Sequence, residues 1–170
     1  LKLDGIEPVA FDSDKVLEGD AAFYAEVERC IAEEERIIRS GRTAVCYTAR
    51  TLLTREDDTK ESALMRSVKI SDGVQRLVGG LSVTPAFVIA KGGITSSDIG
   101  TRALAVKRAN VLGQIRPGVP VWQTGEESRF PLTPYVIFPG NVGEISTLRE
   151  AAEILMGKEN DSEEEKEETR

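Results

Sequence analysis

Two glycine-rich segments carry the residue types that could do chemistry in this chain. The first is Lys91-Gly92-Gly93-Ile94-Thr95-Ser96-Ser97-Asp98, which begins where an apolar, β-rich run ends. Paired glycines allow positive φ angles and a close approach of the backbone to a ligand. A helix that starts here would add hydroxyls and unpaired N–H groups, a combination that favours phosphate or another anion. Neither the Walker spacing nor Gly-x-Gly-x-x-Gly is present, so a tight turn with a Ser or Thr helix cap stays the alternative.

The second segment, Pro139-Gly140-Asn141-Val142-Gly143-Glu144, repeats this context of strand, glycines and helix. Taken alone, it could also be a turn before a helix. Neighbouring parallel strands place their carboxyl-end loops side by side, so two such loops together predict a nucleotide cradled by backbone amides. A third turn-rich segment, from Gly113 to Pro120, is interpreted as a structural corner, and a part in the ligand site stays the less favoured alternative.

Residue counts exclude several other chemistries. The chain has no histidine, which excludes Ser-His and Cys-His nucleophile pairs, imidazole acid–base catalysis and His-ligated zinc. Cys30 and Cys46 are too few for a Cys-rich zinc site, and we interpret them as reduced, largely buried cytosolic residues. The chain has 22 basic and 29 acidic residues, a net charge of −7. Without a basic stripe interleaved with aromatic residues, nucleic acid is not expected as a partner.

Strands and helices alternate along the part of the chain that must position these loops. Asp20 is the predicted cap of the first helix, and Ser71-Asp72-Gly73 could bend the second. The apolar spacing predicts strands at 8–12, 43–48, 86–90, 111–115, 119–122 and 135–138, and helices at 20–40, 60–79, 97–108 and 144–156. We therefore expect an α/β fold with a mostly parallel sheet, helices on both faces and ligand loops at the carboxyl ends of strands.

The length of 170 residues suits one domain. We assign residues 1–156 to it and expect the acidic tail, residues 157–170, to be disordered, because its glutamate run has no apolar residue to bury. Apolar runs fall short of the roughly 20 residues that span a bilayer, and the segment Leu1-Lys2-Leu3-Asp4-Gly5 becomes polar at once. We expect no membrane association, no signal peptide and a cytoplasmic location. The missing initiator Met suggests a piece of a longer protein.

The motifs, taken in order, resemble the carboxy-terminal nucleotide-binding domain of the four-carbon acid sugar kinase family. The resemblance is most specific between residues 86 and 143, and rests on segments 86–98, 113–122, 128–131 and 135–143. Members of that family phosphorylate tetronates or 3-oxo-tetronates with ATP. The resemblance implies that ATP or ADP is held by Gly92, Gly93 and Thr95, with Ser96 nearby, and by Gly140, Asn141 and Gly143.

The resemblance also implies what else the reaction needs. Mg²⁺ would be bound with the nucleotide, but Ile94 stands where many members have an acidic residue, so no metal ligand is assigned. The family's amino-terminal domain, which binds the sugar acid and supplies the catalytic aspartate, is not in this sequence and is the expected partner. A homo-oligomer is compatible with this reading. The alternatives are a non-catalytic small-ligand or dinucleotide-binding α/β module, and a structural domain whose glycine loops are only turns.

Overall fold

The protein is described by a computed structural model that covers residues 4–49 and 58–158. The segment 54–60, whose polar residues predict a loop, lies mostly outside these residues, as does nearly all of the predicted tail. Two short helical segments accompany the main elements: a 3-10 helix, Ser13–Glu18, and a π-helical turn, Ile99–Ala103. The strands and helices are β1 (Ile6–Phe11), α1 (Asp20–Arg39), β2 (Thr43–Thr48), α2 (Lys60–Gly79), β3 (Val88–Lys91), α3 (Gly93–Asp98), β4 (Ala109–Arg116), β5 (Val119–Thr124), β6 (Pro134–Phe138) and α4 (Thr147–Leu155).

The strands of the described residues form two sheets, and the predicted α/β class is confirmed. β1 and β2 are a parallel pair, while the second sheet has the order β3-β6-β5-β4. In that sheet β3 and β6 are parallel, and β5 is antiparallel to both of its neighbours. Parallel pairing is thus limited to β1–β2 and β3–β6. The antiparallel hairpin arises because the tight turn at Pro117-Gly118 cannot join parallel strands, which need a long crossover.

Helices cover both faces of the four-stranded sheet, as the sequence predicts. Side chains alternate along β6, so Tyr135 packs into a core with Phe23 and Val27 of α1 and Leu77 of α2. Val136 and Phe138 pack into a second core on the other face, closed by Ala151 of α4. This two-sided burial fixes the end of β6, from which one glycine loop starts.

The first two helices have nearly the predicted extents, but the roles of Asp20 and Gly73 differ from the predicted ones. α1 begins after Gly19, which has φ +104 and provides no side-chain cap. Asp20 does not cap α1; its carboxylate pairs with Lys69 of α2. α2 is one continuous helix that includes residues 71–73. Gly73 serves packing instead, because a Cβ there would lie 2.6 Å from Cζ of Phe23. No helix in the described residues is both long and apolar enough to cross a membrane.

The predicted helix at 97–108 is wrong in its bounds. Helical structure begins at Gly93, directly after Gly92, and ends at Ala103. The start is early because Gly92 adopts φ +106 and turns the chain from strand to helix in one residue, with no side-chain cap. The end is early because Ala105 has φ +53, a left-handed conformation that a helix cannot contain. The closing helix is also shorter than predicted and leaves residues 139–146 as a longer loop.

A buried carboxyl makes stability depend on pH. Glu34 of α1 is 7 % exposed, and its Oε2 has no hydrogen-bond partner among the described residues. Burial raises the pKa of this carboxyl from 4.5 to about 7, although a hydrogen bond with Cys46 works against the rise. The Cys46 thiol is itself buried enough that its pKa is raised. Both cysteines are free; Cys30 is buried, as the sequence predicts, and Cys46 is half-buried.

We expect stability to fall as the pH rises from about 4.5 through 7, because the folded chain holds a proton on Glu34 that the unfolded chain has released. The cost above pH 7 amounts to about 3 kcal/mol. Glu34→Gln should therefore be more stable than the wild type at pH 8 and nearly equal to it at pH 5, as measured by urea unfolding. Glu28→Gln, which changes an exposed glutamate of the same helix, is the control. A parallel pH dependence in wild type and Glu34→Gln would contradict the assignment.

Candidate functional site

The two glycine loops lie side by side at one edge of the four-stranded sheet. Lys91, the last residue of β3, is the register partner of Phe138, the last residue of β6. The Gly92 amide then donates to the Phe138 carbonyl at 2.8 Å, which extends the pairing into the first loop. The Nζ of Lys91 lies 3.5 Å from the carbonyl oxygen of Gly140 in the second loop. The predicted neighbourhood of the two loops is therefore confirmed.

The first loop presents an open backbone at Gly93. This residue is exposed, and a Cβ added to it would meet no atom within 4 Å. Gly93 is also the first residue of α3, whose opening N–H groups have no acceptor one turn earlier in the helix. Thr95 is half-buried, and its side chain lies 3.6 Å from the position of a Cβ on Gly92. Gly92, Gly93 and Thr95 thus remain reachable from solvent.

Ser96 has a different place from the other residues of this loop. It is 1 % exposed, and its hydroxyl donates to the carbonyl of Ala90 at 2.7 Å. Its own carbonyl accepts a 2.5 Å hydrogen bond from the hydroxyl of Tyr135, whose pKa is raised by burial. These two bonds fasten the start of α3 to β3 and β6. We therefore assign Ser96 to the support of the loop, with its hydroxyl already engaged.

The second loop contains one glycine that the turn requires and one that it does not. Gly143 has φ +86, and a Cβ there would lie 2.7 Å from Cβ of Thr147. Thr147 accepts a 2.8 Å hydrogen bond from the Glu144 amide, which orders the entry to α4. Gly140 has neither constraint, since a Cβ would meet no atom within 4 Å. Both Gly140 and Asn141 are exposed.

The segment interpreted as a corner also lies at this edge of the sheet. β5 runs antiparallel to β6 with Val121 opposite Val136, so the β4–β5 turn sits beside the end of β6. A Cβ on Gly118 would lie 3.0 Å from Cγ1 of Val142 in the second loop. The sequence pattern favours a structural corner for this segment, and its place beside the second loop follows from the antiparallel pairing of β5 with β6.

A charged contact ties this turn to α4. The Nε of Arg116 lies 2.8 Å from Oε2 of Glu150, and the hydroxyl of Ser146 donates to Oε1 of the same carboxylate at 2.6 Å. Hydrogen bonds from Ser146 and Arg116 lower the pKa of Glu150. The second loop is therefore held between β4 and the start of α4.

The candidate site has a cation but no preformed metal centre. Lys91 is exposed, and its Nζ lies 5.2 Å from the centre of the Phe138 ring. Within residues 4–49 and 58–158, no group of three or more His, Cys, Asp or Glu side chains could hold a metal ion. Ile94, which stands where the resemblance implies an acidic residue in many family members, is 80 % exposed and offers no metal ligand. The site therefore offers backbone donors and one nearby ammonium group to an anion.

Two crystal structures resemble this fold, both of a domain of unknown function (DUF1537) from Bordetella bronchiseptica that is described as a domain-swapped dimer with bound citrate. The first is 22 % identical in sequence and has a TM-score of 0.62, and the match covers 92 % of this chain and 36 % of the other chain. The second is 19 % identical and has a TM-score of 0.55, and the match covers 89 % of this chain and 33 % of the other chain. This chain thus spans about a third of their length, and at this identity the likeness shows the fold.

A sequence-family comparison is more specific. No curated protein matches the chain. The family model described as the nucleotide-binding C-terminal domain matches residues 2–148, which include both glycine loops and the turn beside them. This match confirms the predicted resemblance to a carboxy-terminal nucleotide-binding domain. Since it covers most of the sequence, the chain belongs to the family of nucleotide-binding C-terminal domains.

Proposed function

We propose that this chain is the ATP-binding domain of a kinase that phosphorylates four-carbon sugar acids of the tetronate or 3-oxo-tetronate type. The observation that supports the proposal most is the register pairing of Lys91 with Phe138, because it brings both glycine loops to one edge of the sheet. Family membership supports a nucleotide as the ligand. The sugar acid rests on the likeness of the loop motifs to those of the four-carbon acid sugar kinases.

In this proposal the chain's backbone binds the phosphates of ATP or ADP. The open positions at Gly93 and Gly140 leave room for phosphate oxygens beside backbone N–H groups. The contacts would come from Gly92, Gly93, Thr95, Gly140, Asn141 and Gly143. Mg²⁺ fits as an ion held by the phosphate oxygens, since the described residues form no carboxylate cluster at the site, and it would neutralise phosphate charge.

The chemistry assigned to this chain is positioning. Phosphoryl transfer depends on alignment and charge stabilisation more than on covalent catalysis, so a domain without histidine can serve as the donor half of a kinase. The acceptor and the catalytic base would come from an amino-terminal, sugar-acid-binding domain of the same protein. Two exposed isoleucines next to the loops, Ile94 and Ile145, support the view that another domain covers this edge.

The setting of the whole enzyme is part of the same proposal. The similar crystal structures are of domain-swapped dimers, which supports a homo-oligomer for the protein that contains this chain. Both cysteines are free, which supports a reducing, cytoplasmic compartment. The net charge of −7 and the glycine loops give no reason to expect nucleic acid as a partner.

Unfolding in the presence of nucleotides tests the proposal. At a concentration one hundred times its dissociation constant, ATP or ADP should raise the free energy of unfolding by about 2.7 kcal/mol. The measurement is denaturant or thermal unfolding of the chain with ATP, ADP or NAD, each with and without Mg²⁺. Stabilisation by NAD and not by ATP would support the dinucleotide-binding module instead. No effect of any nucleotide at millimolar concentration would support a structural domain and contradict the kinase.

A further inference from the structure

Among the described residues, Lys91 is a positive charge without a carboxylate partner, and it lies at the junction of the two glycine loops. No Asp or Glu oxygen within the described part of the chain lies within 4 Å of its ammonium group, whereas Arg116 at the same edge is paired with Glu150. The Lys91 side chain lies over the ring of Phe138, which is 2 % exposed. This packing directs the flexible stem along the end of β6 toward the second loop.

The only polar contact that the described residues give this ammonium group is a weak one. Its Nζ lies 3.5 Å from the carbonyl oxygen of Gly140, at the long limit of a hydrogen bond. A phosphate oxygen would offer a charge-assisted bond at about 2.7–2.9 Å, roughly twice as strong as a neutral one. Because Gly140 and Gly93 both border open space, an anion between the loops can take the ammonium group from the carbonyl without any rearrangement of the backbone.

We propose that Lys91 determines the specificity of the site for nucleoside di- and triphosphates over monophosphates, by binding the phosphate chain between the two glycine loops. The inference rests on the proposed nucleotide site and adds the side chain that distinguishes ligands by their number of phosphate groups. Backbone N–H groups bind each phosphate through partial charges. The full charge of the Lys91 ammonium group, in contrast, attracts a ligand more strongly the more negative charge that ligand carries. Removal of the Lys91 charge should therefore weaken binding most for ATP, less for ADP and least for AMP.

Binding of ATP, ADP, AMP and inorganic tripolyphosphate to four chains, measured by calorimetry, tests this inference. The chains are wild type, Lys91→Met, Lys91→Arg and Lys107→Met. Lys107 is exposed and lies just before β4, whose first residue pairs with the last residue of β5. Lys107 is therefore at the end of the sheet opposite to the glycine loops. Lys107→Met therefore removes the same charge far from the loops. Lys91 is exposed, and circular dichroism should show that its variants fold.

We expect Lys91→Met to weaken binding of ATP and tripolyphosphate about tenfold to one hundredfold and binding of AMP less than threefold. Lys91→Arg should keep most of the affinity, and Lys107→Met should match wild type. If folded wild type binds no nucleotide, the proposed function itself fails. If wild type binds ATP and Lys91→Met binds it equally well, only the Lys91 inference is overturned. An equal loss for ATP and AMP, or a loss of the same size in Lys107→Met, would overturn it too.

Discussion

Gly93→Val and Gly140→Val are each expected to weaken ATP binding by about tenfold to one hundredfold while leaving the fold intact. Neither glycine has a positive φ, and a Cβ on either would meet no atom of the protein within 4 Å. The added side chain would instead occupy the space of a phosphate and block bonds between backbone N–H groups and a charged oxygen. Such bonds contribute roughly 1.5–3 kcal/mol each. We expect the free energy of unfolding without ligand to change by less than about 1 kcal/mol.

Two further valine variants calibrate this result. Gly143→Val should unfold the second loop as well as lose binding, because Gly143 has φ +86 and a Cβ there would lie 2.7 Å from Thr147. Asn110→Val adds the same side chain at an exposed position of β4, at the opposite end of the sheet, and should change neither property. The measurements are calorimetric titration with ATP and urea unfolding of each chain. If Gly93→Val and Gly140→Val lose stability in proportion to binding, the glycines serve the turns and not a ligand.

The meeting of the two loops could be predicted from sequence because it depends on local patterns. The runs before Lys91 and before Pro139 are continuously apolar, which is typical of buried strands, and a glycine follows each of them after one intervening residue. Two buried strands of the same type tend to be parallel neighbours, and their carboxyl ends then coincide. β3 and β6 pair in this way although more than 40 residues separate them.

The start of α3 could not be predicted because it depends on one backbone angle. Thr95, Ser96 and Ser97 are the residue types that cap helices, so the sequence pattern favours a start near Ser97. The chain turns instead at Gly92, with φ +106, and the helix begins four residues earlier. The hydroxyl of Ser96 then points back to Ala90 and is buried. The pattern identified the right segment, but the tertiary contacts decided which hydroxyl is left for a ligand.

The position of the β4–β5 turn beside the second loop depends on strand order, which no local sequence pattern determines. The turn at Pro117-Gly118 joins β4 and β5 tightly, so a hairpin can be inferred. The segment that lies beside this turn could not be inferred, because the contact with Val142 requires that β5 pair with β6 and not with β3. The antiparallel direction of β5 then brings the start of that strand to the end of β6. The segment that was interpreted as a corner therefore borders the second loop.

The 170-residue chain alone is expected to bind ATP and transfer no phosphoryl group to a sugar acid. Transfer requires donor and acceptor atoms to be held about 3–3.5 Å apart, and the proposed acceptor site and catalytic base belong to another domain. The described residues present glycine loops and Lys91 at the site, and no cluster of carboxylates.

The measurement is ADP release during incubation with ATP, Mg²⁺ and a panel of tetronates and 3-oxo-tetronates. Addition of the amino-terminal half, in the same chain or in trans, should restore the activity for one or a few of these acids. The Gly93→Val form of the joined protein is the control, since it should lose ATP binding and activity together. Steady, substrate-dependent ADP release from the isolated chain, absent in its own Gly93→Val form, would instead locate the catalytic machinery within these 170 residues.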